Sequence, residues 1–192
     1  MLSGWGGEEL RVSMTLYTDA FVIQGTLRTR QRRLSDVLNF ADDDFLVLSE
    51  VVFEGLGPRG ERLTAPNAQV NLGAVLFAVA SEGVEPVPEL RTPKVPETTL
   101  ISIPPFSITG RIHLLPGRDV HSALQELHGR FLPVTDASFW SESLGEAART
   151  APMVAVNHAR AQILSPYGEG ATAETASGAP AAPEAPEGPN PG

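Results

Sequence analysis

One strand-like line occurs twice in this chain. Residues 131–140 read FLPVTDASFW and residues 45–54 read FLVLSEVVFE. Each opens Phe-Leu, passes through a hydroxyl residue and an acid, and reaches a Phe at its ninth position. The echo continues at a spacing of 86 on either side. RLSDVLN (33–39) faces DVHSALQ (119–125), setting Leu38 on Leu124 and the apolar Leu34 and Val37 on Val120 and Ala123. TAPNAQVN (64–71) faces TAPMVAVN (150–157), sharing Thr-Ala-Pro and Val-Asn. Further upstream the spacing is 85, where FVIQG (21–25) faces FSITG (106–110) and keeps Phe, Ile and Gly. Register kept over such separate blocks predicts a tandem duplication of a unit of about 70 residues. Unit 1 covers 10–81, a Pro-rich linker 82–99, unit 2 100–164, and a tail 165–192.

Both units read alike. RVSMTLYT and TTLISI alternate as half-buried strands do, and the TDA and Pro104-Pro105 segments turn the chain. AFVIQGTLR and FSITGRIHLL form a second strand, in which Gly25 and Gly110 suit a bulge or sharp bend. Apolar spacing then switches to i, i+3, i+4 for a short helix, at Leu34, Val37, Leu38 and at Val120, Ala123, Leu124, Leu127. The repeated line supplies a third strand, with Phe131, Leu132, Val134 and Phe139 in the core and Asp136 ending it. AQVNLGAVLFAV and VAVNHARAQIL supply one or two more. The fold class expected is mainly β: two small, bent, β-barrel-like units of strand, strand, short helix, strand, strand.

Composition narrows the functional classes. Residues 165–192 consist largely of Pro, Ala, Gly, Glu and Ser, which cannot bury enough surface to offset ordering entropy, so a disordered tail is expected. Four acids and no base lie there, and removing them from the net charge of −9 leaves −5 on the remainder. An acidic body disfavours sequence-independent binding to a nucleic-acid backbone. With no cysteine, disulfides, thiolate metal sites and thiol nucleophiles are excluded. No apolar run approaches the ~18 residues of a membrane span, and the opening MLSGWGGEELRVSM lacks the basic segment and apolar core of a secretory signal. The expectation is a cytoplasmic protein without membrane contact.

Unit 2 resembles an uncharacterised bacterial small-domain family with the line F-x-I-x-G-x-I-H-x-x-P-G, carried by Phe106 to Gly117, followed by F-L-P-V-T-D-A (131–137) and V-N (156–157). Unit 1 departs from it: Arg28 stands for His113, the Pro-Gly is missing, and Ser49-Glu50 replaces Thr135-Asp136. The order of elements also resembles Sm-like and SH3-like small barrels. That resemblance implies a bent barrel, while the residues of the Sm-like RNA pocket do not recur.

Candidate chemistry is sparse. His121 and His128, seven apart with Gln125 between, could begin a zinc or nickel site, but no third ligand stands at motif spacing. Asp136 and His158 could be drawn into a serine hydrolase triad, yet no G-x-S-x-G line or Gly-rich phosphate loop accompanies them. RTRQRR (28–33) places Arg28, Arg30, Arg32 and Arg33, four of the chain's fourteen bases, in six residues. Guanidinium forks match phosphate oxygens or an acidic partner, although the three Asp of ADDDF (41–45) could balance the cluster instead. The sequence therefore favours a non-catalytic binding or assembly/adaptor module, without cofactor or metal, that contacts proteins or itself. A nucleotide- or RNA-binding sensor using Arg28–Arg33 is the alternative, and a metal-dependent or serine hydrolase comes third.

Overall fold

The computed structural model describes residues 9–31, 33–41, 44–57, 59–82, 94–125 and 129–167. The alternating apolar residues of the first hairpin form β1 (Leu10–Thr18) and β2 (Phe21–Thr29), followed by α1 (Leu34–Asn39). Then come β3 (Phe45–Gly55), β4 (Arg62–Asn71) and β5 (Val75–Glu82). The second half contains β6 (Val95–Ile103), β7 (Phe106–Leu114), α2 (Val120–Gln125), β8 (Phe131–Ser141) and β9 (Glu146–Asn157). A short 3₁₀ turn (His158–Arg160) leads to β10 (Ile163–Pro166).

All ten strands join one antiparallel sheet in the order β10-β6-β7-β8-β9-β5-β1-β2-β3-β4. The run β5-β1-β2-β3-β4 thus has the same order as β10-β6-β7-β8-β9. Registers agree as well. Leu16 faces Ala78 and Ile101 faces Leu164; Val22 faces Glu54 and Ser107 faces Trp140; Phe45 faces Asn71 and Phe131 faces Asn157. Each pair is its counterpart displaced by 85 or 86 residues. Leu38, Phe45 and Val70 fall in α1, β3 and β4, and Leu124, Phe131 and Val156 in α2, β8 and β9.

The barrel-like closure expected for each unit is not realised. Among the described residues the sheet is open, with β10 and β4 as its edges. The physical reason is the choice of partner for β5. It pairs on one side with β1 and on the other with β9 of the second half, at Phe77↔Val156, Ala78↔Ala155 and Val79↔Val154. Neighbouring strand edges that would have had to close each unit are instead spent on joining the halves.

Other boundaries shift. β6 begins at Val95, inside the stretch read as linker, and places Pro96 opposite His113. β10 runs to Pro166, past the expected start of the tail; residues 168–192 lie outside the described residues. Asp136 does not end its strand. It sits within β8 at φ 49°, and its counterpart Glu50 sits within β3 at φ 54°. Each lies where the register slips by one residue, opposite Gly25 or Gly110. A bulge inserts one unpaired residue and sharpens the local twist.

Burial follows the strand period. β7 buries Phe106, Ile108, Gly110, Ile112 and Leu114, alternate residues on one face. α1 buries Leu34, Val37 and Leu38, the i, i+3, i+4 stripe. Each core takes in residues of the other half. Tyr17, Leu76 and Phe77 join the second-half cluster, and Phe131 and Ala155 join the first-half cluster. Among the described residues no helix is long and apolar enough to cross a membrane.

Candidate docking groove at the sheet edge

The junction between the halves shows what a strand edge of this protein binds. Phe77 of β5 is fully buried there, stacked on Tyr17 at 4.3 Å and edge-on to Phe106 and Phe139 at 5.2 and 5.1 Å. Such offset and edge-to-face pairs add stability beyond the area buried. Burial withdraws water from the Tyr17 hydroxyl and raises its pKa above the ordinary value, opposed in part by a hydrogen bond with Arg149. Polar contacts frame the aromatic centre. Asn39 at the end of α1 donates from Nδ2 to the Phe131 carbonyl (2.9 Å) and accepts the Phe131 N–H on Oδ1 (2.7 Å). Asn157 donates to the Val75 carbonyl (2.9 Å). Arg130 reaches Asp44 (3.0 Å), and Arg160 reaches Asp19 (3.3 Å) and the Gly73 carbonyl (3.2 Å).

The first half repeats the receiving surface, and no strand lies on it among the described residues. A groove of about 340 Å³ runs between the β1–β2 turn, Ile23, Phe53 and the flank of edge strand β4 from Ala68 to Asn71. Its turn is fixed by Thr18, whose buried hydroxyl accepts the Ala20 and Phe21 N–H groups (3.2 and 2.8 Å) and donates to the Phe21 carbonyl (3.0 Å). Phe21 stands edge-on to Phe53 at 6.2 Å; their register counterparts Phe106 and Phe139 each stand edge-on to Phe77 and Tyr17. The difference is cover: Phe21 is 43% exposed and Phe106 2%. Among the described residues the edge is only lightly guarded. From Leu63 to Asn71, β4 carries no charged residue and one proline, Pro66. Exposed edges are ordinarily blunted by charge, because their free N–H and C=O groups invite another strand.

The described part of the arginine cluster is spread along the chain. Arg28 lies exposed in β2, opposite Arg11, and is 3.9 Å from Glu9. Arg30 is exposed just beyond β2, and Arg33 is half-buried ahead of α1. Arg32 lies outside the described residues, as do Asp42 and Asp43. Asp44 is engaged by Arg130 across the junction rather than by the cluster. Among the described residues no three His, Asp or Glu side chains gather to hold a metal. His121 bonds Gln125 (3.0 Å), while His128 is outside the described residues. Asp136 pairs with Arg111 (3.1 Å) and His158 meets the Gly129 carbonyl (2.9 Å), so the structure assigns these two to separate contacts. Asp119 accepts the Ser122 N–H (2.7 Å) at the start of α2, and that bond holds its carboxyl below the usual carboxylate range.

Sequence reasoning did not single out the groove. Phe21 and Phe106 carry the same signal, the Phe of F-x-I-x-G, and both read only as the start of the second strand. Comparison with family models, with curated proteins and with solved structures returns no match for the chain.

Proposed function

We propose that the protein is a non-catalytic assembly or adaptor module acting through protein–protein contacts, and that its two halves are copies of one small bent unit. One observation carries this reading: the groove beside β4 is the register counterpart of the seat that β9 gives to β5. One seat is filled by an apolar strand, and the other has the corresponding Phe21 and Phe53, a turn at the same position and, among the described residues, an open edge. A surface of this kind takes an extended segment by strand addition. Main-chain hydrogen bonds supply affinity, and an apolar side chain in the groove supplies selectivity.

The test uses a synthetic peptide of residues 75–82, VLFAVASE, the segment that fills the equivalent place. Titrated into the full chain, it produces saturable NMR shifts at Ala68–Asn71 and Phe21. Phe21→Lys, which plants a charge in the groove, abolishes them. No saturable binding at β4 up to about 1 mM peptide overturns the reading, because that limit corresponds to only about 4 kcal/mol of affinity.

A further inference from the structure

We infer that the chain assembles with itself head to tail, β10 of one copy adding to β4 of the next in the register by which β5 adds to β9. The inference rests on the proposed equivalence of the two halves and names the occupant of the groove. β10 occupies, beside β6, the place that β5 occupies beside β1. β4 occupies, beside β3, the place that β9 occupies beside β8. The two strands that meet inside the chain therefore have as counterparts the two strands left at its edges. Displacing the observed pairing gives the register: Ile163 opposite Val70, Leu164 opposite Gln69 and Ser165 opposite Ala68.

Several exposed groups find cover in this arrangement. Ile163, 57% exposed, is the counterpart of Phe77 and enters the groove beside Phe21 and Phe53. Phe45, 49% exposed, is the counterpart of Phe131, which is 1% exposed because the first half covers it. Gln125, at the end of α2, is the counterpart of Asn39 at the end of α1; its amide bonds His121 within the chain (3.0 Å) and exchanges that contact for the Phe45 backbone of the next copy. Charge also agrees. Asp44 and Arg130 are counterparts that meet across the internal junction, so the junction between copies again sets Arg130 against Asp44. Pro166, which cannot donate a backbone hydrogen bond, corresponds to Ala80 and falls beyond the three residues that pair.

The contact between copies is weaker than the internal one. Ile163 is smaller than Phe77, and the counterpart of the stacking Tyr17 is Ser102. The contact is heterologous, so each added copy presents a fresh β4 or β10 and the assembly ends only by closing on itself.

Native mass spectrometry and sedimentation velocity of the full chain test this. The expected result is a mass of at least twice the 20.4 kDa of one chain. Ile163→Lys blocks the β10 end and Phe21→Lys the groove end; each variant alone is monomeric while its circular dichroism matches the parent chain. Mixed, the two form a one-to-one dimer through the single pair of ends left intact. A chain that stays monomeric up to about 1 mM overturns the inference. So does an oligomer unaffected by either substitution, or a mixture that fails to pair. Binding of the VLFAVASE peptide by a strictly monomeric chain would leave the docking reading standing and this one refuted.

Discussion

Gly110 is where an added methyl group should cost most. It lies in β7 opposite the β8 bulge, and a Cβ built there would sit 2.5 Å from Val134 Cγ1, 3.0 Å from the Thr135 carbonyl oxygen and 3.2 Å from Ala137 Cα. Carbon atoms at rest are about 3.5–4.0 Å apart. Val134 is fully buried and branched at Cβ, so it cannot swing aside, and the other two neighbours are backbone. The strand itself has to retreat. Overpacking of this kind costs about 1–3 kcal/mol, against about 0.4–1 kcal/mol returned by the stiffer unfolded chain. Gly110→Ala is thus expected to lose about 1.3 kcal/mol, or about 3–5 °C in thermal midpoint for a chain of this size. The matched Gly25→Ala is milder. Its nearest atoms are Leu48 Cβ at 3.0 Å and Leu48 Cδ1 at 3.1 Å, and the second belongs to a tip that can rotate away. Thermal melts followed by circular dichroism rank the two. If Gly110→Ala melts within about 1 °C of the parent, or if Gly25→Ala is the more damaging, the close approach of β7 to β8 does not hold the bend.

Asn39→Ala removes both bonds to the Phe131 backbone and is expected to cost about 2 kcal/mol, read as a lower urea midpoint with unchanged slope. For Tyr17 the folded pKa is raised, so its contribution is complete below the unfolded value near 10 and is lost as pH climbs through the folded value. Urea melts from about pH 9 to about pH 11 should therefore show stability falling less steeply for Tyr17→Phe than for the parent. An equal slope in both would mean that burial at the junction does not hold the hydroxyl neutral.

Much of the framework was legible before any coordinate. The i, i+2 alternation of RVSMTLYT and FSITGRIHL, the switch to i, i+3, i+4 at Leu34, Val37 and Leu38, and the glycine of each second strand are local signals. They work because backbone hydrogen bonding and side-chain period are set within a few residues. The spacing of 85 and 86 between the halves was readable too, and the registers of both hairpins follow it. Asp136 was misread as a strand end because a bulge keeps the ladder running on both sides of a single left-handed residue.

The docking surface was not legible. The sequence by itself determined that Phe21 and Phe106 begin like strands, and that Phe45 and Phe131 begin like strands again. Only the tertiary structure decided that one of each pair is covered and the other exposed. Periodicity specifies which face of a strand is apolar, but it does not specify which distant strand arrives to cover it. That depends on β5 pairing with β9 instead of β4, a contact between residues about 80 apart whose formation rests on three-dimensional closeness. The arginines divide the same way. Their density at 28–33 is written in the chain, while the partner of Asp44, Arg130 rather than any of them, is fixed by the junction that brings α1 against β8.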